Sequence, residues 1–195
     1  EVNALNSAVV SSTDTFVVTD TATNLNAADF AAGNIANADT INSGGGSDAL
    51  SFTAAELGTN AITLGTGTWT VTGSVSEVNA LDSAVISSQD TLVVTDTISN
   101  INGANFGAGN IANKDTLIVS DTATNINAAD FGAGNIATAT TINSGSGSDA
   151  LSLTTTELGT KAVTLGTGTW TVTGSVSEVN ALNSAVVSST DTFVV

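Results

Sequence analysis

The chain has 195 residues, 41% of them hydrophobic but only 4% aromatic, so its core is one of Val, Leu, Ile and Ala rather than of large rings. Eighteen acids face two bases, Lys114 and Lys161, and the net charge of −16 argues against nucleic acid and anionic lipid as partners. Cys, His, Met and Pro are absent, which excludes disulfides, thiol catalysis and Cys-ligated zinc and removes the commonest general base.

The chain opens on EVNALNSAVVSSTDTFVV, residues 1–18, and the same eighteen letters close it as residues 178–195, a period of 177. Residues 19–76 return as 120–177 with few changes, and 76–94 echo both ends. A smaller unit runs through all of this. A strand-like hydrophobic residue is followed by [ST]-x-[ST], two further residues, Glu or Asn, and an aliphatic anchor.

The first unit, at Glu1-Val2, lacks its strand; the second is Val18-Thr19-Asp20-Thr21 with Asn24-Leu25. A Gly-rich insertion, Ile41 to Leu50, leads into Leu50-Ser51-Phe52-Thr53 with Glu56-Leu57. TGTWTVTG then reads as a strand and ends in Val71-Thr72-Gly73-Ser74 with Glu77-Val78. Thr53 with Glu56 and Ser74 with Glu77 have capping-box spacing, so helical turns are expected there. Val78, Leu81 and Val85 would share one helical face.

Next come Val94-Thr95-Asp96-Thr97 with Asn100-Ile101 and Val119-Ser120-Asp121-Thr122 with Asn125-Ile126. A second Gly-rich insertion, Ile142 to Leu151, precedes Leu151-Ser152-Leu153-Thr154 with Glu157-Leu158, and the last unit is Val172-Thr173-Gly174-Ser175 with Glu178-Val179. From Val2 onward the anchors lie 23, 32, 21, 23, 25, 32 and 21 residues apart. NINAADF and its relatives are too short and Asn-rich to read as helices.

This spacing predicts a mainly β fold: one continuous parallel β-solenoid over residues 1–195, with coils of about 25 residues, seven or eight in all, and short helical or 3₁₀ turns in some of them. Alternation places the residue before [ST]-x-[ST] inward and the first Thr or Ser outward. Stacked coils would put like over like. Thr19, Thr21, Thr72, Thr95, Thr97, Thr122 and Thr173 would then form files of hydroxyls, and Asn24, Asn100 and Asn125 an amide ladder. The central acids Asp20, Asp96 and Asp121 either cap the following turn, splay into solvent or share a cation between coils. Repeated Glu1, Glu56, Glu77, Glu157 and Glu178 take capping positions with no second acid placed beside them, so no enzyme is expected.

The two insertions, INSGGGSDAL and INSGSGSDAL, resemble the nonapeptide of calcium-binding RTX β-rolls, with Ser43 and Ser144 where that family has its first glycine. The resemblance implies calcium held by Asp48 and Asp149, with Leu50 and Leu151 as its aliphatic residue. With its VTDTATNI-type repeats and acidity, the whole chain resembles the repeat regions of very large secreted bacterial surface proteins, among them S-layer proteins, adhesins and surface filaments. That resemblance implies an extracellular structural protein whose partner is itself, by end-to-end or lateral assembly. The alternative is a ligand-binding face on the Thr/Ser/Asn ladder, for cell-surface glycan or ice.

Overall fold

A computed structural model of the chain describes residues 15–43, 49–145, 150–164, 170–182 and 192–195. Over the described residues the fold is mixed α/β with parallel sheets, and this corrects the expectation of a mainly β chain. The strands are short, and a helical turn follows each of the seven strand motifs, including those with the Asn-rich sequences. The chain divides into two compact units, one running to Val94 with Gly107–Asp115, the other comprising Thr95–Phe106 and the chain from Thr116 onward. Among the described residues no helix is long and apolar enough to cross a membrane.

In the first unit, β1 (Val17–Thr19), β2 (Thr40–Asn42) and β4 (Thr63–Leu64) form a parallel sheet in which Val18 pairs with Ile41 and Ile41 with Leu64. Beyond the insertion, β3 (Ala49–Thr53) pairs with β5 (Thr68–Gly73), and β5 pairs with β6 (Thr91–Asp96). The helices α1 (Ala22–Asn26), α2 (Ala54–Leu57), α3 (Val75–Ala80) and α4 (Ser83–Ser88) fill the corners, with 3₁₀ turns at Asn34–Asn37 and Asn110–Asn113. Strict alternation makes the sheet one-sided: β3 and β5 bury Leu50, Phe52, Trp69, Val71 and Gly73 and turn their Thr and Ser side chains outward.

The second unit repeats this plan. Here β7 (Thr116–Ser120), β8 (Thr141–Asn143) and β10 (Ala162–Thr164) run parallel, with Val119 against Ile142 and Ile142 against Val163. Likewise β9 (Leu151–Thr154), β11 (Trp170–Thr173) and β12 (Thr192–Val194) run parallel, with Leu153 against Val172 and Val172 against Phe193. Its helices are α5 (Ile98–Gly103), α6 (Ala123–Asn127), α7 (Thr155–Leu158) and α8 (Val176–Ala181), with a 3₁₀ turn at Asn135–Thr138.

All seven residues that precede [ST]-x-[ST] are buried: Val18, Leu50, Val71, Val94, Val119, Leu151 and Val172. The anchors Leu25, Leu57, Val78, Ile101, Ile126 and Leu158 are buried as well, while Val179 is half-buried. Equivalent motif residues nevertheless do not stack. Leu50 faces Trp69 rather than Val71, Val71 faces Leu92 rather than Val94, and Leu151 faces Trp170 rather than Val172. The pairing is slipped by two residues, which leaves every inward side chain inward. Hydrophobic alternation fixes which face a residue takes and is silent about even-numbered slips.

Candidate functional site

The strand ends are the most regular polar feature of the fold. At each, the second Thr or Ser of [ST]-x-[ST] is the N-cap of a short helix. In four of the seven caps the carboxylate comes from the helix itself. Thr53 donates its N–H and Oγ1–H to Glu56 Oε2 at 2.6 and 2.8 Å. Ser74 does the same with Glu77, Thr154 with Glu157 and Ser175 with Glu178.

In the other three caps the helix carries Asn instead, and the carboxylate stands before the N-cap. Asp20 Oδ1 accepts the Thr21 N–H and Asn24 Nδ2, both at 2.7 Å. Asp96 Oδ1 takes the same bonds from Thr97 and Asn100, and Asp121 Oδ1 from Thr122 and Asn125. Thr21, Thr97 and Thr122 in turn accept the backbone N–H of Asn24, Asn100 and Asn125. Asn at the third helical position thus goes with Asp at the centre of the motif, and Glu goes with Phe, Gly or Leu there. Every cap holds one carboxylate, supplied from one side or the other.

The predicted amide ladder is accordingly not what engages Asn24, Asn100 and Asn125; each bonds the Asp four residues earlier in its own turn. The expected hydroxyl files are interrupted too. Thr19 faces Asn42, Thr72 lies between Thr53 and Val93, and Thr173 lies between Thr154 and Val194. Thr19 and Thr173 are exposed, and Thr72 and Thr95 half-exposed. The two-residue slip puts other hydroxyls side by side instead: Ser51 faces Thr70 and Thr70 faces Thr91, and Ser152 faces Thr171 and Thr171 faces Thr192.

A second set of carboxylates ties successive turns together at the strand entrances. Asp39 Oδ2 accepts the Phe16 N–H at 2.6 Å and returns its own N–H to the Phe16 carbonyl. Asp90 holds Trp69 in the same way at 2.7 Å, and Asp115 holds Leu92 at 2.7 Å. Thr140 stands where a further Asp would, and its hydroxyl donates to the Leu117 carbonyl instead. Sequence reasoning missed this set. Its signal is an Asp-Thr pair directly before each of these strands.

Side-chain amides form a third set. Asn110 Nδ2 donates to the carbonyls of Leu81 and Val78, while Asn79 Oδ1 accepts the Ile111 N–H. In the second unit Asn135 Nδ2 donates to Ile101 and Ala104, and Asn102 Oδ1 accepts from Ile136. Asn26 spans the β3 backbone by donating to the Ala49 carbonyl and accepting from Ser51; Asn127 does so at Ala150 and Ser152. These amides satisfy helix C-termini and strand edges that would otherwise leave polar groups unpaired.

Asp29, Asp82 and Asp130 also accept a backbone N–H, within their own turns. Each described carboxylate is therefore bonded to a main-chain donor, and among the described residues no group of three or more acids is gathered as a metal site. Asp48 and Asp149, on which the RTX resemblance places calcium, lie outside the described residues. An open recess of about 280 Å³, lined by Thr155, Gly159, Glu178 and Leu182 among others, contains a carboxylate already bonded to Ser175.

Three of the capping carboxyls, Asp20, Asp121 and Glu178, are held below their ordinary pKa range. Asn24 and the Thr21 N–H hold Asp20 below its ordinary range, and Ser175 does so for Glu178. At Asp121 burial acts upward, but Asn125 and the N–H groups of Ile98 and Thr122 outweigh it and the net shift is downward. Burial lowers Lys161. A carboxyl whose folded pKa is depressed stabilises the fold above its unfolded pKa, and that contribution is lost as pH falls through the folded value. Stability to urea is therefore expected to hold down to about pH 4 and to decline below it, with Asp121→Asn flattening the decline. An unfolding midpoint that rose on acidification, or one equally acid-sensitive in Asp121→Asn, would contradict the caps.

No family description, curated protein or solved structure matches the chain.

Proposed function

We propose that the chain is a segment of an extracellular structural β-solenoid, a filament, stalk or surface layer lengthened by stacking coils and by repeating the 177-residue period. The observation that supports this most directly is strand pairing at one coil's separation. Val18 and Ile41, Val71 and Leu92, and Val119 and Ile142 are parallel partners 23, 21 and 23 residues apart. Parallel pairing across so few residues needs a chain that circles back to lie beside itself.

The polar chemistry supports the same reading. Carboxylates and amides serve helix caps and main-chain groups of the neighbouring turn, so the fold uses its acids for its own construction. Eighteen residues that return letter for letter, and residues 19–76 that return with few changes as 120–177, extend length without adding a singular reactive centre. The residual negative surface keeps neighbouring rods apart in solution.

Chains carrying one, two and three 177-residue periods test the reading. Seven strand steps of about 4.8 Å give roughly 34 Å of rise per period, visible as an increment in particle length by electron microscopy or small-angle scattering. Aligned specimens are expected to diffract at about 4.8 Å along the long axis. Separate compact beads without that reflection would sink the proposal.

A further inference from the structure

Every described strand is free of charged residues apart from Asp96, the last residue of β6, whose carboxylate is bound in a helix cap. The chain carries eighteen acids and two bases, and a soluble surface commonly gives about a quarter to a third of its positions to charge. Here the acids stand at the margins of the sheets. Glu56 lies at the far end of β3 beside Thr53, and Asp90 at the entrance of β6 before Thr91, each bonded to a main-chain N–H.

Between these margins the outward side chains are small and neutral. In the first unit the outward positions of β3, β5 and β6 form two rows across the sheet, Ser51–Thr70–Thr91 and Thr53–Thr72–Val93. All six are exposed or half-exposed, while Phe52, Val71 and Leu92 between them are buried. The same rows return in the second unit 101 residues later, as Ser152–Thr171–Thr192 and Thr154–Thr173–Val194.

We propose that this neutral sheet face is a lateral contact, and that it packs against the same face of a second copy of the chain. Depletion of charge is the compositional mark of an interface core. A second copy fits because its own acids are also withdrawn to the margins, so two such faces meet without apposing like charges. Flat rows of Thr and Val can interdigitate with the two sheets about 10 Å apart. A sugar is oriented by rings, amides or charged groups, and these six positions offer none. At low ionic strength the marginal acids hold copies apart; at roughly 0.5 M salt the screening length falls to about 4 Å and the faces close.

Area sets the strength of the contact. Three strands about 4.8 Å apart and about 15–20 Å long give roughly 250 Å² per unit, against about 800 Å² per partner in a stable interface. One unit therefore pairs weakly, and added periods strengthen the contact by acting together. The inference rests on the coil-stacking reading above and adds the surface by which neighbouring rods meet.

Sedimentation velocity at about 0.5 M salt, on the chains of one, two and three periods, tests it. Association is expected to tighten by roughly a hundredfold from one period to two. Thr70→Glu with Thr171→Glu, made in every period, is expected to abolish it, and mixing with chains carrying Thr70→Lys and Thr171→Lys is expected to restore it. Asn37→Glu with Thr138→Glu adds the same charge in the 3₁₀ turns and is expected to leave association intact. The face is wrong if the Thr70/Thr171 Glu chain associates like the native one, if both Glu variants lose association equally, or if the Glu–Lys mixture does not pair. It is also wrong if excess neutral dextran disperses the native pairs, since a sugar would then be the occupant. In each of these cases particle length that still grows with every period leaves the stacked coils standing. Length that does not grow means the stacking itself is wrong, and the lateral face falls with it.

Discussion

Trp69→Ala is expected to lower the stability of the chain by about 3–5 kcal/mol, the largest loss from any single truncation in the first unit. Trp69 is 1% exposed and lies parallel to Phe52, ring centroids 5.5 Å apart, and Phe52 in turn meets Phe30 edge-on at 5.4 Å. Its indole Nε1–H donates to the Gly65 carbonyl at 3.2 Å, so the ring also pins the turn that joins β4 to β5. Its ring neighbours Phe52 and Phe30 are themselves buried, so filling the void with either would cost that ring its own packing. Trp69→Phe keeps the stack but loses the indole bond, and a smaller loss of about 1–2 kcal/mol is expected. Urea titrations followed by circular dichroism measure both. A midpoint unchanged in Trp69→Ala would mean that β3 and β5 do not close over a packed interior.

The inward stripe could be read from the sequence because burial repeats at a fixed motif position: Val18, Leu50, Val71, Val94, Val119, Leu151 and Val172 are all buried. The Glu caps were equally open to reading, since Thr53 with Glu56 and Ser74 with Glu77 have a spacing whose mechanism is local. The Asp caps were open only as one of three readings, and their Asn partners were not legible at all. The pentapeptides ATNLN and ATNIN carry little helix propensity, and what holds them is a carboxylate just before the N-cap, seen only once Asp20 and Asn24 are considered together.

Contacts between turns were hidden for a different reason. Asn135 reaches Ile101 and Asn110 reaches Val78, 34 and 32 residues away in sequence, and no local pattern ties such positions. The register was hidden because period-2 alternation is satisfied by any even slip. Pairing Thr72 with Val93, as the fold does, and pairing it with Thr95 would bury the same side chains. The choice between them falls to Asp90, Asp115 and Asp39, whose carboxylates fix where each preceding strand begins.

Gly134→Ala tests the amide contacts between turns with the second largest expected effect, a loss of about 3 kcal/mol. Gly134 has φ 67° and ψ −168°, a conformation that side-chain-bearing residues almost never adopt. A Cβ there would lie 2.8 Å from Asn102 Oδ1, the atom that receives the Ile136 N–H. Moving Asn102 aside would leave that N–H unpaired and disturb Asn135, which holds the last carbonyls of α5 at 2.8 and 2.7 Å. Gly103→Ala, at the end of the same helix with nothing within 4 Å of its Cβ position, is expected to act in the opposite direction, stabilising by about 0.5 kcal/mol through helix propensity and a less flexible unfolded chain. The opposed signs separate crowding against Asn102 from any general need for glycine in this helix–turn segment. Equal and small effects from the two substitutions in a urea series would mean that Asn102 and Asn135 do not hold the turns together.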